Sequence, residues 1–160
     1  MDANRLVGAG EKDLMTWKPN HVVVAVDGSE ASNHAARVAV SLAEHRNGKV
    51  TLVTVVRPPE GWWGVGGAPP SPEAMSVAVA RARTEVLDPL SEEFADAQCT
   101  VELIEEIGDP ASVLLRIADS LAADVLVAGR RGSSLVERLM LGSVADRLAH
   151  EATVPVLIVP

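Results

Sequence analysis

With 160 residues the chain is long enough for one substantial core and too short for two typical ones, so a single domain is expected. Hydrophobic residues make up 48% of it and run to Ala, Val and Leu, with three Trp, one Phe and no Tyr, which suits helices packed closely on a sheet and so the α/β class. A net charge of −8 disfavours nucleic acid and anionic membrane surfaces as partners, since both need a basic footprint.

Met1 to Asn20 is a weakly patterned tail that either packs Leu14, Met15 and Trp17 on the domain or stays disordered. Its scattered charge does not read as a signal peptide, and no apolar run approaches the roughly 20 residues that span a bilayer, so a cytoplasmic location is expected. The domain proper is placed from His21 to Pro160. It opens with "HVVVAVD", His21 to Asp27, a continuous β-branched run that suits a central parallel strand buried on both faces. Ser29 is an N-cap candidate for a helix over Glu30 to His45, in which Ala35, Val38, Ala39, Leu42 and Ala43 recur at helical spacing. Asn47-Gly48 ends that helix, and "KVTLVTVV", Lys49 to Val56, is a second buried strand.

"RPPEGWWGVGGAPPSP" follows, too rich in Pro and Gly for a regular element and longer than most connections in compact domains. Its Trp62 and Trp63 form a lid, a partner-binding patch, or two rings tucked on the surface. Ser71-Pro72-Glu73 starts a helix, which Asp88-Pro89 either kinks or divides into two pieces ending near Ala97. "TVELIEEI" carries Glu102, Glu105 and Glu106, which suits a sheet edge. Asp109-Pro110 repeats the cap-then-proline signal for a helix to about Ala122, and "DVLVAG" is the fourth strand. Val144 to His150 reads as a helix and "VPVLIVP" as the last strand, with Pro155 tolerable at an edge.

The expected architecture is a single doubly wound five-stranded parallel sheet, order 3-2-1-4-5, Rossmann-like, with helices on both faces. Its two edges differ, one charged and one apolar, and the commonest cover for an apolar edge is the same strand of a second copy. In such sheets ligands sit beyond the carboxyl ends of the strands where the winding reverses, here between the first and fourth. Two loops meet there, one beginning Asp27-Gly28-Ser29 and the other running from Gly129 to Ser143. The second loop spaces its glycines at Gly129, Gly132 and Gly142, directly before Ser143. Glycines let backbone N–H groups approach an anion, and a helix N-terminus adds unpaired N–H groups and a positive dipole end. Ser143 donates its hydroxyl to a phosphate, caps the helix, or does both, and Asp27 accepts from ribose hydroxyls or caps its own turn.

The segments "VVVAVDGSEAS", "GDPASVLLRIADSLAADVLVAG" and "GRRGSSLVERLMLGSVADRLAHEATVPVLIVP" together resemble the universal stress protein family over His21 to Pro160. The spacing of Gly129, Gly132, Gly142 and Ser143 resembles that family's adenine-nucleotide signature, which implies the branch that binds ATP, with Mg²⁺. On that resemblance Asp27 holds the ribose, and Gly129, Gly132, Gly142, Ser143 and Val144 surround the phosphates. Ala25, Val55 and Ala128 line the adenine. Arg130 stands where the family often has a small hydroxyl residue; a guanidinium there clamps a phosphate or is exposed loop charge, and Arg130 and Arg131 both remain binding candidates. The resemblance further implies a homodimer through the last strand, Val154 to Val159, and a nucleotide-dependent stress-response switch acting on a protein partner. Pro89 within the long helix is unusual for the family.

Other chemistries find less support. There is no Gly-x-x-x-x-Gly-Lys-Ser/Thr, and Pro69 occupies the last-glycine position of a dinucleotide fingerprint in the Trp loop. No Gly-x-Ser-x-Gly elbow accompanies the serines, the histidines lack metal spacing, and Cys99 stands alone, so no metal site is expected. His34 and His150 are expected as surface helix residues, and Leu135, Val136, Leu139, Met140 and Leu141 as a packed turn. Asp27 alone is placed to act as a base, so no catalytic residue is expected and any hydrolysis is slow. Two alternatives stay open: a slow ATP hydrolase of the same fold, and a dimeric scaffold that binds no nucleotide. For the first, the Ser-Gly-Gly-x-Asp-Ser loop of the related nucleotide-hydrolase fold is replaced by "VDGSE" after the first strand.

Overall fold

The computed structural model describes residues 17–58, 70–132 and 141–160. The expectations for Leu14 and Met15, for Trp62-Trp63 and for the turn at 135–140 lie outside the described residues. Five parallel strands form one sheet in the order β3-β2-β1-β4-β5: β1 (His21–Ala25), β2 (Lys49–Val56), β3 (Thr100–Ile107), β4 (Val125–Gly129) and β5 (Val156–Val159). The expected order and class are therefore met. Parallel strands need crossovers, and helices supply them: α1 (Glu30–Glu44), α2 (Pro72–Ala82), α3 (Asp88–Glu93), α4 (Pro110–Ser120) and α5 (Ser143–Glu151).

Strand β1 explains the continuous valine run. Val22, Val24 and Val26 enter one core with Ala35, Ala36, Ala39, Val40 and Ala43 of α1 and with Leu87, Leu90 and Phe94. Val23 points the other way, into a core with Val113, Leu114 and Ile117 of α4 and Leu148 of α5. Because side chains alternate along a strand, covering both faces demands an apolar residue at every position. Each fully buried valine contributes about 1.5–3 kcal/mol of transfer free energy. Alanines dominate the buried face of α1, which lets that helix lie close against the sheet.

Local signals set the helix starts. Ser29, Ser71 and Asp109 each accept a hydrogen bond from the backbone N–H three residues on, from Ser32 at 3.2 Å, Ala74 at 3.2 Å and Ser112 at 3.0 Å. Asn47 turns left-handed at φ 48 and the Gly48 N–H bonds Ala43 O at 2.9 Å, closing α1. Near Pro89 the helix divides into two pieces, α2 and α3, as one of the two expectations had it, with a junction that the expectation did not describe. Arg83–Leu87 is a π-helical turn joining α2 to α3, with the Asp88 N–H bonded to Arg83 O. Proline has no N–H and crowds the carbonyl four residues before it. One widened turn ahead of it absorbs that conflict and joins the two pieces end to end.

Charged pairs blunt the β3 edge. Lys49 bonds Glu102 at 2.7 Å, Arg116 meets Glu106 at 3.4 Å, and Arg83 pairs with Glu105. The β5 edge is apolar, with Val156 and Ile158 half-buried and Leu157 37% exposed. No helix among the described residues is long and apolar enough to cross a membrane.

Candidate functional site

The carboxyl ends of β1, β2 and β4 open into a cavity of about 610 Å³, within the range of about 300–1,000 Å³ usual for small-molecule sites. Strand β1 contributes Ala25 and, just past its end, Asp27. Strand β2 contributes Val53 to Val56 and then Arg57. Strand β4 contributes Ala128 and Gly129, followed by Arg131 and Gly132. The first turn of α5 adds Gly142, Ser143 and Val144. Pro110 and Leu114 of α4 close one side, and Ala78, Arg81 and Ala82 of α2 with Glu85 and Val86 of the π turn close the other.

Hydrogen bonds shape the Asp27 loop. The Asp27 N–H donates to Ser32 Oγ at 3.2 Å, the Ser32 hydroxyl donates to Ser29 O at 3.0 Å, and the Ser29 N–H donates to Asp27 Oδ1 at 3.1 Å. Oδ1 thus caps the turn. Oδ2 lies over Gly132, so close that a Cβ on that residue would collide with it. Gly28 turns at φ +80, a conformation that favours glycine.

The glycine loop is held at both ends. The Arg130 N–H donates to Val159 O at 2.6 Å, and the Gly142 N–H donates to Arg130 O at 2.9 Å, tying the two ends together. A Cβ on Gly129 would stand 2.8 Å from the Ala31 carbonyl carbon and 2.9 Å from its oxygen. Gly129 therefore lets the β4 end lie against the first turn of α1. A Cβ on Gly142 would stand 3.2 Å from Arg130 O and 3.3 Å from Arg131 Cα.

The cap of α5 corrects one expectation. Gly142 is the N-cap residue and Ser143 the first helical residue, so Ser143 does not cap, and the cap residue supplies no side-chain hydrogen bond to the first turn. An N-cap side chain bonds the second or third N–H of its helix; one residue farther on, the geometry is lost. Ser143 and the α5 N-terminus border the cavity, which puts a positive dipole end on it.

Ten of the eleven residues expected at the site line this cavity: Ala25, Asp27, Val55, Ala128, Gly129, Arg131, Gly132, Gly142, Ser143 and Val144. Arg130 does not. It borders a separate hollow of about 150 Å³ with Ala31, Arg131 and Pro160, because its backbone is pinned into the β4–β5 ladder. Sequence reasoning missed Thr54, Arg57 and the α2 wall. The signal for that wall was present in Ala78 and Ala82 of α2, which buries none of its residues, and in Val86 four residues on in the π turn. Among the described residues no group of three or more His, Cys, Asp or Glu gathers as a metal site.

An ion-pair network braces the two helices beside the cavity. Arg147 donates to Asp109 at 2.6 Å, to Ser112 at 3.2 Å and to Glu151 at 3.1 Å, joining α4 to α5. The Ser112 N–H, more than Arg147, holds the Asp109 carboxyl below its ordinary pKa.

The universal stress protein family matches residues 19–160. Universal stress protein MJ0531 of Methanocaldococcus jannaschii is 31% identical over 148 residues, covering 86% of this chain and 80% of its own. The structure of hypothetical protein MJ0577 superposes with a TM-score of 0.76 at 21% identity, covering 89% of this chain and 96% of its own. A universal stress protein solved in complex with cAMP superposes with a TM-score of 0.56 at 28% identity, covering 89% and 98%.

Proposed function

Since the chain belongs to the universal stress protein family, we propose that it binds ATP with Mg²⁺ in the cavity at the β1–β4 switch and acts as a nucleotide-dependent switch in the stress response. The observation that carries this reading is the seating of the Asp27 carboxylate directly over Gly132. That contact sets a ribose-hydroxyl acceptor beside a glycine-lined helix N-terminus, in a space of the right size. Gly129, Gly132 and Gly142 each stand where a Cβ would meet neighbouring atoms, so the loop fits a ligand approached by backbone N–H groups.

Asp27 would accept from the ribose. The N–H groups at 142–144 and the Ser143 hydroxyl would receive the phosphates. Ala25 and Val55 supply apolar surface for the base, and Ala128 floors the cavity on the β4 side. Arg131, on the cavity wall, adds positive charge, while Arg130 serves the β5 junction. Mg²⁺ comes with the triphosphate and offsets its charge. Glu85, the other carboxylate on the cavity wall among the described residues, is bonded to Arg81, so occupancy rather than turnover is the signal, and it biases the loops that a protein partner reads.

Two copies pair through β5, whose apolar edge with Leu157 exposed is the surface a symmetric partner would cover. Leu157→Lys is expected to give monomers by light scattering where the parent chain gives dimers; an unchanged mass would refute the β5 interface.

The test of the site is calorimetric titration of ATP and Mg²⁺ into protein stripped of nucleotide by reversible unfolding. AMP and cAMP run alongside, because a relative is solved with cAMP. Saturable binding near one site per chain, weakened by Asp27→Ala in a folded variant, is expected. No heat at several temperatures would remove the nucleotide reading. Steady-state phosphate release separates a switch from a slow hydrolase.

A further inference from the structure

We propose that Arg57 is a base-recognition residue, its guanidinium packing on the purine of the bound nucleotide at the β2 end of the cavity; this rests on the nucleotide reading above. Among the described residues three arginines line the cavity, Arg57, Arg81 and Arg131. Arg81 is committed to Glu85, its Nε donating at 2.7 Å. Arg131 belongs to the glycine loop on the β4 side. Arg57 makes no ion pair or hydrogen bond with another described residue.

Strand order places Arg57 relative to the rest. The sheet runs β2, β1, β4 across the cavity floor, with Ala25 beside Val53 and Val24 beside Val127. Neighbouring strands are about 4.8 Å apart, so β2 and β4 are separated by about 10 Å. The glycines and the α5 N-terminus stand at the β4 end and Asp27 stands on β1, in the middle. A nucleotide with phosphates at the first and ribose at the second must extend its base over β2. There Val55 and, beyond the strand end, Arg57 line the cavity, with the small side chains of Ala78 and Ala82 and the Val86 side chain on the helical wall. Arg57 is thus at the far end from the phosphate cradle. A planar guanidinium at the base end stacks on an aromatic face and offers donors to ring nitrogens.

Calorimetry of Arg57→Ala against inorganic triphosphate, adenosine, AMP and ATP tests this. Arg57 is exposed past the end of its strand, so the variant folds, and a thermal melt checks that it does. A cation–aromatic contact predicts the same loss for adenosine, AMP and ATP, roughly three- to thirtyfold, with triphosphate binding unchanged. A loss that grows with the number of phosphates, or appears with triphosphate, makes Arg57 a phosphate contact and overturns the inference. Unchanged affinity for all ligands also overturns it. If the parent chain takes up none of them, the nucleotide reading itself falls and this inference with it.

Discussion

Two alanine substitutions in the same loop should act on different properties. At Gly129 a new methyl group meets the backbone of α1, 2.8 Å from the Ala31 carbonyl carbon and 3.0 Å from the Ser32 nitrogen. Neither atom can swing aside, because Ser32 is buried and bonded to Ser29 and its helix is locked on the sheet. The β4 end or the α1 N-terminus must shift, at an overpacking cost of about 1–3 kcal/mol. Loss of glycine's freedom in the unfolded chain returns about 0.4–1 kcal/mol, since the backbone at 129 is not left-handed. Gly129→Ala should therefore destabilise by about 1–2 kcal/mol, which at a urea m-value of about 2 kcal/mol/M lowers the midpoint by about 0.5–1 M. At Gly132 the atom in the way is Asp27 Oδ2, the end of a side chain that can rotate. Gly132→Ala should lower the midpoint less than Gly129→Ala, through the Ser29 N–H bond to the carboxylate that is disturbed, while weakening nucleotide binding because the carboxylate is driven from its place. Urea unfolding followed by circular dichroism, with calorimetry on both variants, reads the contrast. Equal midpoints for Gly129→Ala and the parent chain, with equal m-values, would refute the reasoning from backbone contact.

Further outcomes follow from the same contacts. Burial and the nearby Lys49 push the His21 imidazole below its ordinary 6.5, so the unfolded chain binds the extra proton first and stability falls as pH drops below about 6.5; His21→Gln should flatten that part of the stability profile, and an NMR titration should find the His21 pKa low. Asp109 is the opposite case: its carboxyl titrates below the ordinary 3.8, so its contribution is present above that pH and is lost as pH falls through its folded value. Asp109→Asn should reduce acid sensitivity below about pH 4, as read from urea midpoints across the acid range. Ser29→Ala removes the cap of α1 and should cost about 0.5–2 kcal/mol in thermal unfolding, with wild-type stability counting against the cap.

Much of the fold is legible from residue pattern. Strand β3 is found at its observed bounds, Thr100–Ile107, because its glutamates mark an edge and its neighbours are turn residues. Strand β1 ends at Ala25, two residues before the apolar run suggests, although Val26 remains buried and bonded to Val53. Hydrophobicity reports burial, and burial continues past the last ladder bond. The caps at Ser29, Ser71 and Asp109 depend on residues three apart and are readable for that reason. The π turn is less so: proline announces a conflict, while packing of Leu87 and Leu90 into the core decides whether the helix bends, breaks or widens.

The sequence by itself determined the parallel α/β order, the two core faces and the pair of loops that meet at the switch point, because each depends on periodicity or on contacts within a few residues. Only the tertiary structure decided that Asp27 lies over Gly132, that Gly142 and not Ser143 caps α5, that Arg130 turns away to the β5 junction, and that Arg57 and the α2 wall border the cavity. Those facts concern atoms far apart in the chain, whose separation is set by how helices settle on a twisted sheet. Side-chain type fixes what a residue can do there, and packing fixes which residue is there to do it.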